Sequence, residues 1–474
     1  MTDQTVDLTA GRAGPAPEAG DPRVDWRFLL PHADLGRVAV DRATGTAVRS
    51  ALAGAAHEVV ELGAADGPFD AIVLTDPRPA DLGAAVEALA PTGALRIEGA
   101  SARRRRALGA RLHAMGFTSS RWWARPSSAD AWCLVCLDQP RGAATVLQTV
   151  AGRGRRAVVE ARAARLGLAA RSRRDVDLLA RRVSPGPSPV AVAGTDPTTP
   201  IAALVTPRYA ASRAVVGVTV DPSGRRLHRI AKVARSVADD PDVEAEAVAL
   251  AAFAERSPAG APTGHRLERR GGRSVLLEDA VVGTPLDRRV VRDDPTAALD
   301  QGLAWLRTVP VEPPSRPRDD GRSRALLWGP LRTVAELRTA SPPAHRDRVR
   351  RTADLLEPLI DVELPVVFEH GDLSHPNLFS TPSGLVAIDW ERAVPQGLPL
   401  HDLTFFVAYL AESIDRPQTR VALVDSYRRA VQTGGWARRD IELGAERLGV
   451  DLRLVPLLQL ACWTRTLARL GEPG

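Results

Sequence analysis

The segment from Val366 to Glu391 constrains this chain more than any other. It reads Val366-Val-Phe-Glu-His-Gly-Asp-Leu-Ser-His-Pro-Asn-Leu-Phe379, then a Ser383-Gly384 turn, then Leu385-Val-Ala-Ile388 and Asp389-Trp-Glu391. The apolar run predicts a strand that delivers His370, Gly371 and Asp372 to a loop. Two further short strands joined by a tight turn bring their far ends together. Asp372, Asn377 and Asp389 are therefore expected around one small volume. Phosphoryl transfer from a nucleotide needs such a set. One carboxylate orients an acceptor hydroxyl and takes its proton, while an amide oxygen and a second carboxylate hold magnesium against the phosphates.

A second constraint is a single lysine, Lys232, among 63 Lys and Arg residues. Under so strong an arginine bias, a surviving lysine marks a place where a compact ammonium is needed and a planar guanidinium does not fit. The plainer reading is chance survival on the surface, and the neighbourhood decides between them. Ala214–Val220 predicts a strand, Asp221-Pro-Ser-Gly224 a turn with Pro at a favoured position, and Arg229–Ala234 a returning strand that carries Lys232. A helix is expected from Val243, with Glu246 as the ion-pair partner of the lysine and Glu244 as its rival.

Together these segments resemble the aminoglycoside phosphotransferase and choline kinase group, whose hallmark is H-G-D-x-x-x-x-N followed by I-D-W/F-E. The likeness covers roughly residues 201–474. It implies a two-lobed protein-kinase-like fold, with an N-lobe at 201–290 and a C-lobe at 291–474, and ATP and Mg2+ as cofactors. By the same resemblance Asp372 is the catalytic base, Asn377 and Asp389 are metal ligands, and Lys232 reaches the phosphates while paired with Glu246. Ser274–Ala280 resembles the inter-lobe hinge strand, whose backbone at Glu278, Asp279 and Ala280 would contact adenine. His370 is expected to brace the loop, His375 to bond locally within it, and Asp402 to steady it; Glu391 would add a water-mediated contact. The sequence departs from the pattern of protein kinases at one place. No G-x-G-x-x-G precedes the first strand, and Pro207–Arg213 stands there instead, leaving phosphate cover to other backbone amides or to Ser212 and Arg213.

The expected activity is ATP- and magnesium-dependent transfer to a hydroxyl of a small molecule: a sugar, an amino alcohol, or a glycan- or lipid-linked precursor. Residues 401–474 hold nine acids and ten arginines, a balance that leans away from polycationic aminoglycosides and towards a neutral or anionic acceptor. The alternative is a kinase-like binding or scaffold protein without turnover, which the missing Gly-rich loop favours.

At 474 residues the chain holds roughly three units, and a multi-domain α/β plus α+β architecture is expected. Residues 1–22 read as a disordered tail. From 23 to 140, strands near 37–40, 58–62, 70–75, 94–98 and 131–137 alternate with helices at 80–90 and 102–115, predicting a parallel, Rossmann-like three-layer sheet. Residues 69–97, extended by 111–117 and 121–137, resemble the second half of class I methyltransferases. Only Gly45 follows the first strand, so the resemblance implies a degenerate, non-catalytic domain. Residues 141–200 read as an Arg-rich helical connector and a Pro/Gly linker. The connector is solvated or rests on a membrane surface; without aromatics for base stacking, nucleic acid is not an expected partner. The three cysteines exclude a disulfide scaffold and a four-thiolate zinc site. Cys133 and Cys136 fall three apart in a strand and should face opposite sides. Without an apolar leader or an apolar run long enough to span a bilayer, a cytoplasmic location is expected. The oligomeric state is not written in one chain.

Overall fold

The computed structural model describes residues 21–99, 104–125, 132–150, 161, 164, 176–182, 188, 190, 201–206, 213–336 and 343–471. They divide into two compact units. One draws on Pro15–Glu244 and Gly264–Ala280, the other on Ala245–Thr263 and Val281–Pro473.

The first unit is built on one twelve-stranded sheet. Its strands are β1 (Leu35–Val40), β2 (Ala56–Glu61), β3 (Phe69–Thr75), β4 (Leu89–Glu98), β5 (Ser119–Ala124), β6 (Trp132–Cys136), β7 (Val176–Arg181), β8 (Ile201–Thr206), β9 (Ala214–Val220), β10 (Leu227–Ala234), β11 (Arg266–Arg270) and β12 (Arg273–Asp279). They lie in the order β11-β12-β10-β9-β8-β6-β5-β7-β4-β3-β1-β2. Strands from the expected N-terminal domain and from the expected N-lobe thus hydrogen-bond into a single sheet, joined where β6 pairs with β8 and β8 with β9.

The expectation of a parallel sheet holds for four strands only. β2, β1, β3 and β4 pair parallel, with helices at Pro79–Ala88 and Arg105–Ala114 close to those read from the sequence. The remaining strands pair antiparallel. Part of the Arg-rich stretch expected to be helical is a strand instead. β7 lies antiparallel between β4 and β5, because its Leu178-Leu179-Ala180 run is buried within the sheet's cores and outweighs the arginines around it. The rest of that stretch, with the tail and most of the Pro/Gly linker, lies outside the described residues.

The strand order reverses between β1 and β3, the place where open α/β sheets bind ligands. Here Asp41 fills that corner itself. Its carboxylate accepts the amide and hydroxyl of Thr44 at 2.8 and 2.7 Å and the amide of Thr75 at 2.7 Å. Cys133 and Cys136 enter different core clusters on the two faces of the sheet. Burial pushes their thiols up to about 12 and about 11, so both are inert core fillers.

In the expected N-lobe, β9 and β10 form the hairpin read from the sequence. Lys232 lies opposite Val216 on one side and Leu276 of β12 on the other, a half-buried position in mid-sheet.

The second unit is mainly helical and carries two small sheets. One is β13 (Thr284–Pro285) with β16 (Leu378–Thr381) and β17 (Gly384–Ala387); the other is β14 (Val311–Ser315), β15 (Leu364–Glu369) and β18 (Val394–Gly397). Its core is aromatic near the motif. Phe253 packs on Trp305, Phe368 and Trp390, with ring centroids 5.8, 5.3 and 4.3 Å away. The helix Pro295–Leu306 approaches the helix His401–Asp415 at Gly302, where a Cβ would stand 2.2 Å from the Phe406 ring. Among the described residues no helix is long and apolar enough to cross a membrane.

Candidate active site

Within the second unit the motif folds as its residues dictate. The apolar strand β15 ends at Glu369 and releases His370-Gly371-Asp372 into a loop. A short turn, His375–Asn377, then leads into β16. β16 and β17 form the expected hairpin, Leu378 opposite Ala387 and Thr381 opposite Gly384. Its open end is closed by the Ile388 amide, which donates to the Asn377 carbonyl at 2.9 Å. Asn377 is thereby brought next to the chain that continues into Asp389.

Each residue has a definite place. The Asn377 Nδ2 donates to the Asp372 carbonyl at 3.1 Å, which fixes the amide and leaves Oδ1 as an available oxygen. Asp389 takes a left-handed backbone conformation, φ 71°, a strain that non-glycine residues hold only where their surroundings impose it. Those surroundings are on Trp390. This side chain is 1% exposed; its indole donates to the Ala387 carbonyl at 2.9 Å, and its amide donates to the Glu246 carboxylate at 3.0 Å. An amide oxygen and a carboxylate are hard donors of the kind magnesium takes. Asn377 and Asp389 therefore fit such an ion. Among the described residues no cluster of three or more His, Cys, Asp or Glu forms a metal site.

Asp372 is the titratable group of interest. Burial raises its carboxyl to about 7, the Asp389 charge adds to this, and Arg392 and Arg469 act against it. Its loop is held rigidly. Asp402 accepts the amides of His370 and Gly371 at 2.7 and 2.9 Å, the bracing role expected of it. His370 is fully buried; its Nε2 meets the Ile388 carbonyl at 3.0 Å. His375 does not bond within its own loop as expected: its ring is buried against distant segments, where it bridges the Leu286 carbonyl and the Ser413 hydroxyl. Gly371 has φ 77°, and a Cβ there would come 2.0 Å from the Arg392 carbonyl, so only glycine fits.

Behind the loop lies a buried ionic pair that the sequence did not reveal. Arg465 donates to both Glu369 oxygens, at 2.9 and 2.6 Å, and to His401 Nδ1 at 3.1 Å. Burial alone would raise the Glu369 carboxyl, but Arg465, His401 and the Leu398 amide together turn the net shift downward. Burial, reinforced by Arg465, pushes the His401 imidazole down to about 3, so it is neutral. Arg469, also missed, donates to the Gly371 carbonyl at 2.7 Å. Two arginines about one helical turn apart on the last helix were the only signal, and it is not specific.

The remaining sequence-predicted residues are divided between the units. Glu246, 3% exposed, belongs to the second unit and grips Trp390. Its rival Glu244 is taken by the Ser274 hydroxyl at 2.6 Å and by Arg269 at 3.5 Å. Lys232, Glu278, Asp279 and Ala280 belong to the first unit. Asp279 pairs with Arg229 at 3.1 Å, and the Ala280 amide already donates to the His228 carbonyl at 3.0 Å. Ser212 lies outside the described residues. Glu391 pairs with Arg392 at 3.5 Å.

Residues 210–441 match the model of the phosphotransferase enzyme family, a span just short of half the chain that contains the whole motif. No curated protein matches. Among solved structures, a glucosamine kinase in complex with glucosamine, ADP and inorganic phosphate is 17% identical, covering 54% of this chain and 76% of its own, with a TM-score of 0.31. The aminoglycoside phosphotransferase APH(3'')-Id from Streptomyces rimosus is 20% identical, covering 53% and 89%, with a TM-score of 0.31. A choline/ethanolamine kinase family protein from Mesorhizobium loti is 15% identical, covering 55% and 86%, with a TM-score of 0.29.

Proposed function

We propose that this chain is an ATP- and magnesium-dependent phosphotransferase that acts on a hydroxyl of a small molecule. The observation that carries this reading is the grouping of Asp372, Asn377 and Asp389 by one hairpin, inside the span matched by the phosphotransferase family. Asp372 orients the acceptor hydroxyl and takes its proton. Asn377 and Asp389 hold the magnesium ion, which would neutralise charge on the transferring phosphate. Lys232, with Glu246 as its partner, holds the nucleotide's phosphates, and the backbone of Glu278–Ala280 faces adenine. The strands before residue 140 form a domain without transferase chemistry of its own, a reading supported by Asp41, which occupies the sheet's reversal point.

A kinase-like binding protein without turnover is the second reading, favoured by the lack of a Gly-rich loop before β9. Thermal unfolding of the full chain separates the two from each other and from a methyl-donor site. ATP with magnesium at 100 times its Kd should stabilise by about 2.7 kcal/mol. That gain should vanish in Asp389→Ala and persist in Asp372→Ala, and Lys232→Arg should impair turnover although charge is kept. Stabilisation by ATP without any turnover would favour the binding protein. Stabilisation by S-adenosylmethionine alone would overturn both.

A further inference from the structure

Arg469 occupies an odd position for a cation. It ends the helix Val455–Gly471, where positive charge suits the helix dipole, yet its Nη1 reaches the carbonyl of Gly371, the residue before Asp372. Burial, with Arg465 and Arg392 adding to it, lowers this guanidinium below its ordinary range. Glu369 and Asp372 act against that shift. A guanidinium has five N–H donors, and this half-buried one spends at least one of them on the Gly371 carbonyl.

The nearby carboxylates have other engagements. Glu369 is committed to Arg465. Glu391 stands 3.5 Å from Arg392, in an exposed pair of a kind worth little. Asp389 is assigned to magnesium. Asp372 remains, and a general base must stay free to accept a proton. Arg392 belongs to the same locality, since its carbonyl abuts Gly371 and its charge acts on Asp372 together with that of Arg469. Both positive charges therefore act at Asp372, where the acceptor hydroxyl is to be received.

We propose that the acceptor carries an anionic oxygen group, carboxylate or phosphate, and that Arg469 and Arg392 bind it while its hydroxyl faces Asp372. This specificity rests on the phosphotransferase reading above and would name the acceptor class.

Four acceptors of similar ring shape test it with the full chain and Mg-ATP: glucose, glucosamine, glucuronate and glucose 6-phosphate. At least one of the two anions should show kcat/KM about tenfold or more above both glucose and glucosamine, and comparing the two anions separates carboxylate from phosphate. Arg469→Gln and Arg392→Gln should each raise KM for the preferred anion about tenfold, a larger factor than for glucose, and Arg469→Lys should recover part of the loss. A brace of the loop alone would instead lower kcat for every acceptor alike, which overturns the proposal. So does a preference for glucose or glucosamine, or no turnover of either anion by a protein that Mg-ATP stabilises. Because Arg469 also holds Gly371, Arg392→Gln decides the matter if Arg469→Gln unfolds. Failure of Mg-ATP to stabilise the wild type overturns the phosphotransferase reading itself, and this one with it.

Discussion

Asp372→Asn is expected to lower turnover by about 10²–10⁴-fold, the usual contribution of a positioned general base, while Mg-ATP still stabilises the protein. The substitution keeps size and shape, so the Asp402 bonds to the amides of His370 and Gly371 survive. It also removes a negative charge beside Asp389, which should not harm a cation site. The pH dependence gives a second readout. Burial, then Asp389, raises the Asp372 carboxyl to about 7. Below that value the group already holds a proton and cannot take another. The rate should therefore fall as pH drops, along a limb lying above the ordinary aspartate range near 4. A wild-type profile flat down to pH 4, or an Asp372→Asn variant with near-normal kcat, would remove this residue from the role of base.

The largest expected loss of stability comes from Arg465→Met. Glu369 is 1% exposed, and without Arg465 it becomes a buried carboxylate with only the Leu398 amide, at 2.6 Å, to answer it. Breaking such a pair from one side costs about 3–5 kcal/mol, a large share of the roughly 5–15 kcal/mol that typical domains possess. Replacing both partners removes the stranded charge. Glu369→Leu combined with Arg465→Met should therefore be more stable than Arg465→Met alone, short of wild type because the Leu398 amide loses its acceptor. Urea unfolding of the three variants measures this. Equal stability of single and double variants would mean that the Glu369 charge is relieved in some other way.

The motif segment was legible because its information is local. His370, Gly371, Asp372, Asn377 and Asp389 lie within twenty residues, and a hairpin needs only short-range turn and strand signals to bring them together. The hairpin around Lys232 was legible for the same reason. What supports these residues was not. Arg465 meets Glu369 across 96 positions, and Glu246 meets Trp390 across 144. No periodicity encodes such pairings; they arise only when the core closes. β7 was hidden by composition, its apolar centre masked by the arginines on either side. The sheet in the first unit was read as separate pieces because a strand's sequence shows which face is apolar, not which edge it will join.

That joining has a practical meaning. β8 is flanked by β9 on one side and β6 on the other, with Val135 beside Ala203 and Trp132 beside Thr206. A chain trimmed to begin at residue 201 would keep every residue of the motif and yet strip the β6 side of β8, leaving its backbone polar groups as a template for another copy. Light scattering from the trimmed protein should report self-association that the full chain does not show. β6 thus acts as a splint along an otherwise sticky seam, and the shortest stretch containing the motif is not expected to be the shortest that behaves well in solution.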